Sequence, residues 1–439
     1  MLLRETARQI FLQTLDRIKV VDVMERCVRL EAGRLLVGEH AYLLESYSAI
    51  RVVSVGKAAV PMAETLMRKL EAGVGAGQAL DGMVVGTRLT AHPRLRSFPG
   101  GHPLPNLQSL AAAGAVLEYL RACDSRSLVL FLISGGASTM LEMPLEAAMS
   151  METMTSFHRG LVHSGLGIEE MNVLRKHVSA VKGGRLAVAA KESTQCTLLI
   201  SDVPADKLHV VGSGPTLPDP STVEDCRRMV SKHGAALGLP EEMGRWLSSA
   251  SLPETPKEDD DAFRRSAHVA ILSSDDLCME ASRVAAELGF HVTVDNTCDE
   301  WPYEKAASYL VDRLAGLQRL HGKVCLFSAG EIAVRVGAGG GVGGRNQHFV
   351  LECARVADVE GIRVTVLSAG SDGIDGNSPA AGGVGDETTV GRAAEQGLSV
   401  SAALERFDSY SLLDALGDTL VIGPSGNNVR DLRILLSSG

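Results

Sequence analysis

The residues best suited to chemistry lie in the stretch Ser328-Ala-Gly-Glu-Ile-Ala-Val-Arg-Val-Gly-Ala-Gly-Gly-Gly-Val-Gly-Gly-Arg-Asn-Gln347. Six of the eight residues from Gly337 to Gly344 are glycine, and Arg345, Asn346 and Gln347 follow at once. Ile332 to Val336 reads as a β-branched strand and His348 to Ala357 as a helix, so the order is strand, glycine loop, helix. Such a loop turns backbone N–H groups toward an anion at a helix N-terminus, where the dipole assists. The guanidinium adds a planar fork of donors suited to carboxylate or phosphate. Gly341, Gly343, Gly344, Arg345 and Asn346 are therefore expected around an anion. Gly339, Gly341 and Gly344 also satisfy G-x-G-x-x-G, but the next strand, 363–367, ends in Ser-Ala-Gly-Ser-Asp instead of the single acid a dinucleotide site requires. The reading is anion binding and not NAD.

Other candidates are spread along the chain. Lys57 follows Ser54-Val-Gly56 at the mouth of the first βα turn; it is no Walker A lysine, because Arg51 stands at the first glycine and Ala58 at the Ser/Thr position. Ser134-Gly135-Gly136-Ala-Ser138-Thr139 is a second candidate backbone nest. Asn172-Val-Leu-Arg175-Lys-His177 and Gly183-Gly-Arg185 bring several cations near one helix and loop, and Ser201-Asp202 with the proline-bearing loop 212–220 suggests a wall of the site. Asp372 and Asp375 end a strand, where paired acids hold Mg²⁺ or act as general base; Asp372 is read as functional and Asp375 as a turn residue. Twelve histidines show no HExxH spacing, and there is no G-x-S-x-G elbow.

These residues need a scaffold of short apolar strands alternating with helix-length segments. Strands are expected at 51–55, 83–85, 128–133, 196–200, 268–272, 291–294, 323–327, 332–336, 363–367 and 419–422, a βαβ pattern with a largely parallel sheet. Six of them end in small polar residues, as a crevice site in an open α/β sheet requires. A length of 439 residues suits two domains. The expected division is 1–250, with residues 1–45 helical and packing on either domain, an exposed acidic linker at 251–262, and 263–439. A net charge of −10 gives no basis for binding nucleic acid, and no run of about 18 apolar residues points to a membrane. Eight scattered cysteines without a CxxC pair fit a reducing cytoplasm; Arg4 and Arg8 on an amphipathic first helix leave a mitochondrial address open, against Glu5 and Asp16.

The ordered motifs resemble the class II glycerate kinases, the family with a MOFRL C-terminal domain. They include Ser54-Val-Gly-Lys-Ala58, Gly101-His-Pro-Leu-Pro105, Leu132-Ile-Ser-Gly-Gly136, Asn172-Val-Leu-Arg-Lys-His177, Lys182-Gly-Gly-Arg-Leu-Ala187 and Gly212-Ser-Gly-Pro-Thr216. Gly343-Gly-Arg-Asn-Gln347, Ser368-Ala-Gly-Ser-Asp-Gly-Ile-Asp-Gly376 and Gly423-Pro-Ser-Gly-Asn-Asn-Val429 continue the series. The chain departs from the family at Ala137 and Ala329, where glycine is usual, and at Asp295–Trp301. The resemblance implies an N-terminal Rossmann-like domain, a smaller mixed-sheet MOFRL domain and a site in the cleft between them. It implies ATP- and Mg²⁺-dependent phosphorylation of D-glycerate, usually at the 2-hydroxyl, by a monomer or homodimer. It places the family's lysine on Lys57 and its arginine on Arg345, acids on Glu331 and Asp372 (catalytic or Mg²⁺-binding), and an asparagine on Asn427. Gly56, Ser134, Gly135, Gly136, Ser138, Arg175, Lys182 and Asp202 complete the expected phosphate or substrate contacts. Two competing readings are an NAD-dependent hydroxypyruvate reductase and a non-enzymatic two-domain carboxylate-binding protein.

Overall fold

Strands that are apolar at nearly every position must be covered on both faces, and such runs build two six-stranded sheets here. The computed structural model describes residues 2–75, 77–201, 203, 205–335 and 339–438. Contacts divide the chain into a unit of residues 20–271 and a unit that joins the first 19 residues to those from Leu272 onward.

In the unit of residues 20–271 an antiparallel ribbon comes first: β1 (Val28–Glu31), β2 (Arg34–Val37) and β3 (His40–Leu43). The expectation of helix over 1–45 fails there, because Gly33 and Gly38 supply left-handed turns and β2 alternates exposed and buried residues. The sheet follows with β4 (Ala49–Val55), β5 (Ala79–Gly86), β6 (Leu95–Pro99), β7 (Ser127–Ile133), β8 (Thr194–Ile200) and β9 (Ser266–Leu272). Its order is β6-β5-β4-β7-β8-β9, and the pairs β4–β5, β4–β7, β5–β6 and β7–β8 are parallel. Numbered within the sheet this is 3-2-1-4-5-6, the doubly wound order, whose topological switch lies between β4 and β7. Every residue of β7 is buried, and helices Ala59–Glu71 and Leu107–Arg121 contribute apolar faces to the core. Residues 251–262 lie inside this unit, with Leu252, Thr255 and Ala262 buried, and the chain passes to the other unit ahead of Leu272.

The second sheet contains β10 (His291–Val294), β11 (Val324–Gly330), β12 (Thr365–Gly370), β13 (Gly382–Asp386), β14 (Thr419–Leu420) and β15 (Asp431–Ser437). Its order is β10-β11-β15-β12-β13-β14; only β10–β11 is parallel among the registered pairs, so the sheet is mixed. No strand forms over the described part of 332–336, where Ala333 makes an isolated bridge to Pro302. Both sides of β11 are already taken by β10 and β15, which leaves no edge for a strand that immediately follows it. The helix Leu3–Arg17 belongs to this unit and inserts Arg4 between two acids, with Nη1 2.5 Å from Asp418 Oδ1 and Nη2 2.7 Å from Asp386 Oδ1. Among the described residues no helix is long and apolar enough to cross a membrane.

Arg4→Ala leaves Asp386 and the buried Asp418 without this partner. We expect a loss of about 3 kcal/mol in the unfolding of this unit, followed by denaturant titration, with partial recovery in Arg4→Lys. An unchanged midpoint would mean that the first helix is not anchored through Arg4.

Candidate functional site

At the switch point β4 ends in Val55 and turns through Gly56 into Lys57. Gly56 has φ +125°, and a Cβ there would stand 2.3 Å from Ser134 Oγ, so only glycine lets the two strand ends approach this closely. Lys57 N–H donates to Gly135 O (2.9 Å) and Ala58 N–H to Ser134 Oγ (3.1 Å), which locks the two turns together. The N–H groups of Gly135 and Gly136 find no acceptor among the described residues, while the Lys57 side chain is exposed. A Cβ on Gly136 would lie 3.3 Å from Lys57 Cγ and 3.1 Å from His102 Cδ2, so lysine and open amides share one concavity.

Beyond it, Ser138 Oγ bonds Ser213 Oγ (2.8 Å), which donates to Asn172 Oδ1 (2.9 Å) on helix Ile168–Val178. Arg175, on the same helix, is buried and its Nε has no acceptor among the described residues. Burial lowers its pKa, with the Glu142 charge opposing. A buried guanidinium with an unpaired Nε is costly, which keeps Arg175 a candidate for an anionic ligand.

Lys182 is different and must be reassigned from ligand binding to the scaffold. It is fully buried, and its Nζ is 2.5 Å from Glu142 Oε2. Glu142 also receives His158 Nε2 (2.7 Å) and Ser179 Oγ (2.5 Å). Burial works to raise the Glu142 pKa, but Lys182 and His158 outweigh it and hold the carboxyl at about 2. Asp202 lies outside the described residues.

In the other unit the glycine loop differs from expectation. Gly341 N–H donates to Arg406 O (2.9 Å), Val342 N–H to Asp408 Oδ1 (3.1 Å) and Gly343 N–H to Asn377 Oδ1 (2.9 Å). The helix runs Arg345–Glu360, and its N-terminus already holds an anion, the carboxylate of Asp375. Asp375 accepts from Asn346 N–H (3.1 Å) and Nδ2 (3.2 Å) and from Gln347 N–H and Nε2 (both 2.9 Å). Gly344 makes room for it, since a Cβ there would sit 2.2 Å from Asp375 Oδ1. Gly341, Gly343 and Asn346 are thus corrected from ligand contacts to internal ones, and Asp375 from a simple turn residue to the helix cap. The helix dipole and four orphan amides demanded an anion, and the fold supplies its own.

Arg345 also has internal partners. Its Nε and Nη2 fork onto Asp431 (2.5 and 3.1 Å), and Nη1 reaches Glu331 Oε2 at 2.9 Å. Burial opposes its charge, but Asp431, Glu331 and Asp375 prevail and raise its pKa above the ordinary value. Asp372 accepts the N–H of Ile374 (3.0 Å) in an Asx turn and lines a cavity of about 690 Å³ with Arg345, Ile332, Val334, Ile374 and Phe407. Asn427 is buried, and its Oδ1 has no partner among the described residues. Asp431 and Asp299 were not among the residues expected from the sequence; Asp299 accepts two hydrogen bonds from Arg430 (2.6 and 2.7 Å) and one from Glu331 N–H (2.9 Å). An acid opening the apolar run 431–437 was the available signal for Asp431.

Two family models match the chain: a domain of unknown function, DUF4147, over residues 6–248 and the MOFRL family over 324–431. A D-glycerate 2-kinase of Thermotoga maritima is 35% identical over 393 residues, covering 87% of this chain and 89% of that protein. A glycerate 2-kinase of Pyrococcus horikoshii is 33% identical over 396 residues, with coverage of 88% and 87%. A crystal structure of glycerate kinase from Thermotoga maritima superposes with a TM-score of 0.81 at 31% identity, over 99% of both chains. The chain belongs to this glycerate kinase family, built from a DUF4147 and a MOFRL domain.

Proposed function

We propose that the protein transfers the γ-phosphoryl group of ATP to the 2-hydroxyl of D-glycerate, giving 2-phospho-D-glycerate and ADP. The observation that carries this reading is the exposed Lys57 side chain packed beside the Gly135–Gly136 turn, whose N–H groups have no acceptor among the described residues, at the switch point of a doubly wound sheet. Phosphoryl transfer asks the protein for positioning and charge neutralisation, with little covalent work, and that concavity offers both for phosphate oxygens. Arg175, buried and with no acceptor for its Nε among the described residues, supplies further charge for an anion.

Mg²⁺ fits the residues present. An ion carried by nucleotide phosphates needs only one or two protein carboxylates. Asp372, half-buried on the cavity wall, would hold it. When bound it neutralises charge on the phosphates. No group of three His, Cys, Asp or Glu side chains suited to a metal gathers among the described residues, so a cage made of protein ligands alone is not part of the proposal. Arg345 stabilises anionic oxygens of substrate or transferring group through the edge not held by Asp431. A dinucleotide reductase would place its pyrophosphate at a helix N-terminus, and that of Arg345–Glu360 is filled by Asp375. Asp375 itself is no general base, since four N–H donors use its two oxygens.

Three outcomes test this account. Lys57→Ala should lower kcat/KM for D-glycerate by about 100-fold or more, the cost of one electrostatic stabiliser, with the fold intact. ADP release coupled to ³¹P NMR of the product reads both rate and position; near-parental turnover returns Lys57 to the surface, and a 3-phosphate signal would sink the proposed position.

Arg345→Lys keeps a charge but loses the fork onto Asp431, so activity should drop at least about tenfold while the circular dichroism spectrum stays parental. Parental activity would show that only the point charge matters.

The third concerns pH. Burial, with the Asp431 charge adding to it, raises the Asp375 pKa to about 6 against the opposing hydrogen bonds. Below the unfolded pKa, near 4, both states carry the proton; as pH rises toward 6 the unfolded chain releases it first, so stability is lost. The parent should therefore lose about 3 kcal/mol relative to Asp375→Asn between roughly pH 4 and 6.5, by denaturant unfolding at each pH. A stability difference that stays flat across this range contradicts the assignment.

A further inference from the structure

The two edges of the Arg345 guanidinium are held unequally. The inner edge, Nε and Nη2, forks onto Asp431, whose side chain is 3% exposed. The outer atom, Nη1, pairs at 2.9 Å with Glu331, whose side chain is 44% exposed. A buried pair is expensive to break, whereas an exposed one is worth at most about a fivefold factor in an equilibrium.

The backbone beneath Glu331 is fixed. Its N–H donates to Asp299 Oδ1 (2.9 Å), its carbonyl accepts from Glu300 N–H (2.7 Å), and Asp299 is clamped in turn by Arg430. The preceding Gly330 has φ +111°, and a Cβ on it would stand 2.6 Å from Asp299 Oδ1, so this turn has one backbone path. The carboxylate can leave Arg345 only by rotating its own side chain. Glu331 answers the outer edge of Arg345 after Asp431 has answered the inner one, so an incoming anion must compete with the Glu331 carboxylate for that edge.

We propose that Glu331 is a displaceable internal counter-ion, whose carboxylate occupies on Arg345 the place that a substrate oxyanion takes on binding. The anion is either the carboxylate of D-glycerate or a phosphate oxygen of the nucleotide. The inference rests on the phosphoryl-transfer reading above. It assigns Glu331 a part in binding, by vacating a position, in place of the catalytic or Mg²⁺-ligand role the family resemblance suggested.

The test compares the parent with Glu331→Gln, which keeps shape and removes charge, as full-length proteins with Mg²⁺ present. A displaceable counter-ion predicts a KM about two- to fivefold lower for the substrate whose anion takes the position, with kcat down by less than tenfold. A lower KM for D-glycerate identifies the carboxylate; a lower KM for ATP identifies a phosphate oxygen. Unchanged or raised KM values for both, or a tenfold or larger fall in kcat, overturn the proposal. Calorimetric titration with D-glycerate and with ADP, which needs no turnover, should tighten by the same factor for one of them. A parent that binds in this way but forms no ADP would defeat the proposed reaction and leave the counter-ion test standing.

Discussion

A guanidinium drawn partly out of water calls for acceptors that answer both its charge and its planar fork, and at the start of helix Arg345–Glu360 that demand falls on the half-buried Arg345. Its answer, Asp431, is the first residue of β15 and pairs in register with Gly330 at the end of β11 and Gly370 at the end of β12. One ion pair therefore joins three strand ends to the start of helix Arg345–Glu360. The helix adds a second demand, for an anion at its N-terminus, and Asp375 meets it from the turn after β12. Two cationic features and two carboxylates thus fix the loops around the cavity before any ligand arrives. What a ligand can reach is the edge of Arg345 that pairs with the half-exposed Glu331, and the carboxylate of Asp372.

The fold class was legible because buried strands announce themselves. β4, β7, β8 and β11 are mostly apolar and buried at nearly every position, and the turn residues after β4 and β7 located Lys57 and Ser134–Gly136. Other elements were silent for physical reasons. β13 contains three glycines in five residues, and glycine is a poor strand former. It is in the sheet because a Cβ on Gly382 would collide with Ser368 O at 1.9 Å, so the neighbouring backbone requires its absence. β15 lies between β11 and β12, a non-local pairing that no local pattern encodes.

Within the site, sequence identified residue types better than roles. A glycine loop followed by Arg-Asn-Gln does prepare a helix N-terminus for an anion, and that chemistry is present. The anion comes from a carboxylate 29 residues further along, and a local reading has no means of ruling this out. Lys182 shows the same limit: a lysine beside Gly-Gly resembles a phosphate contact until Glu142, forty positions earlier, is found against it. Lys57 could be read locally because its neighbours in space, Gly56 and the turn after β7, are strand ends that adjacent parallel strands must bring together.

The helix Leu3–Arg17 packs with residues that follow Leu272, so the segment 20–271 is an insertion between the two parts of one unit. During synthesis that inserted unit is complete while its host is not. The first helix, with its buried Ile10 and Phe11, leaves the ribosome early. It must wait for the helix Ser274–Glu287 and then for β12, β13 and β15 before that face is covered. Protein synthesis at about 5–20 residues per second makes the wait tens of seconds. An exposed amphipathic helix held for that time is what a chaperone recognises, and shortening the wait by circular permutation, with Leu272 as the new start, would let the host unit form from contiguous chain.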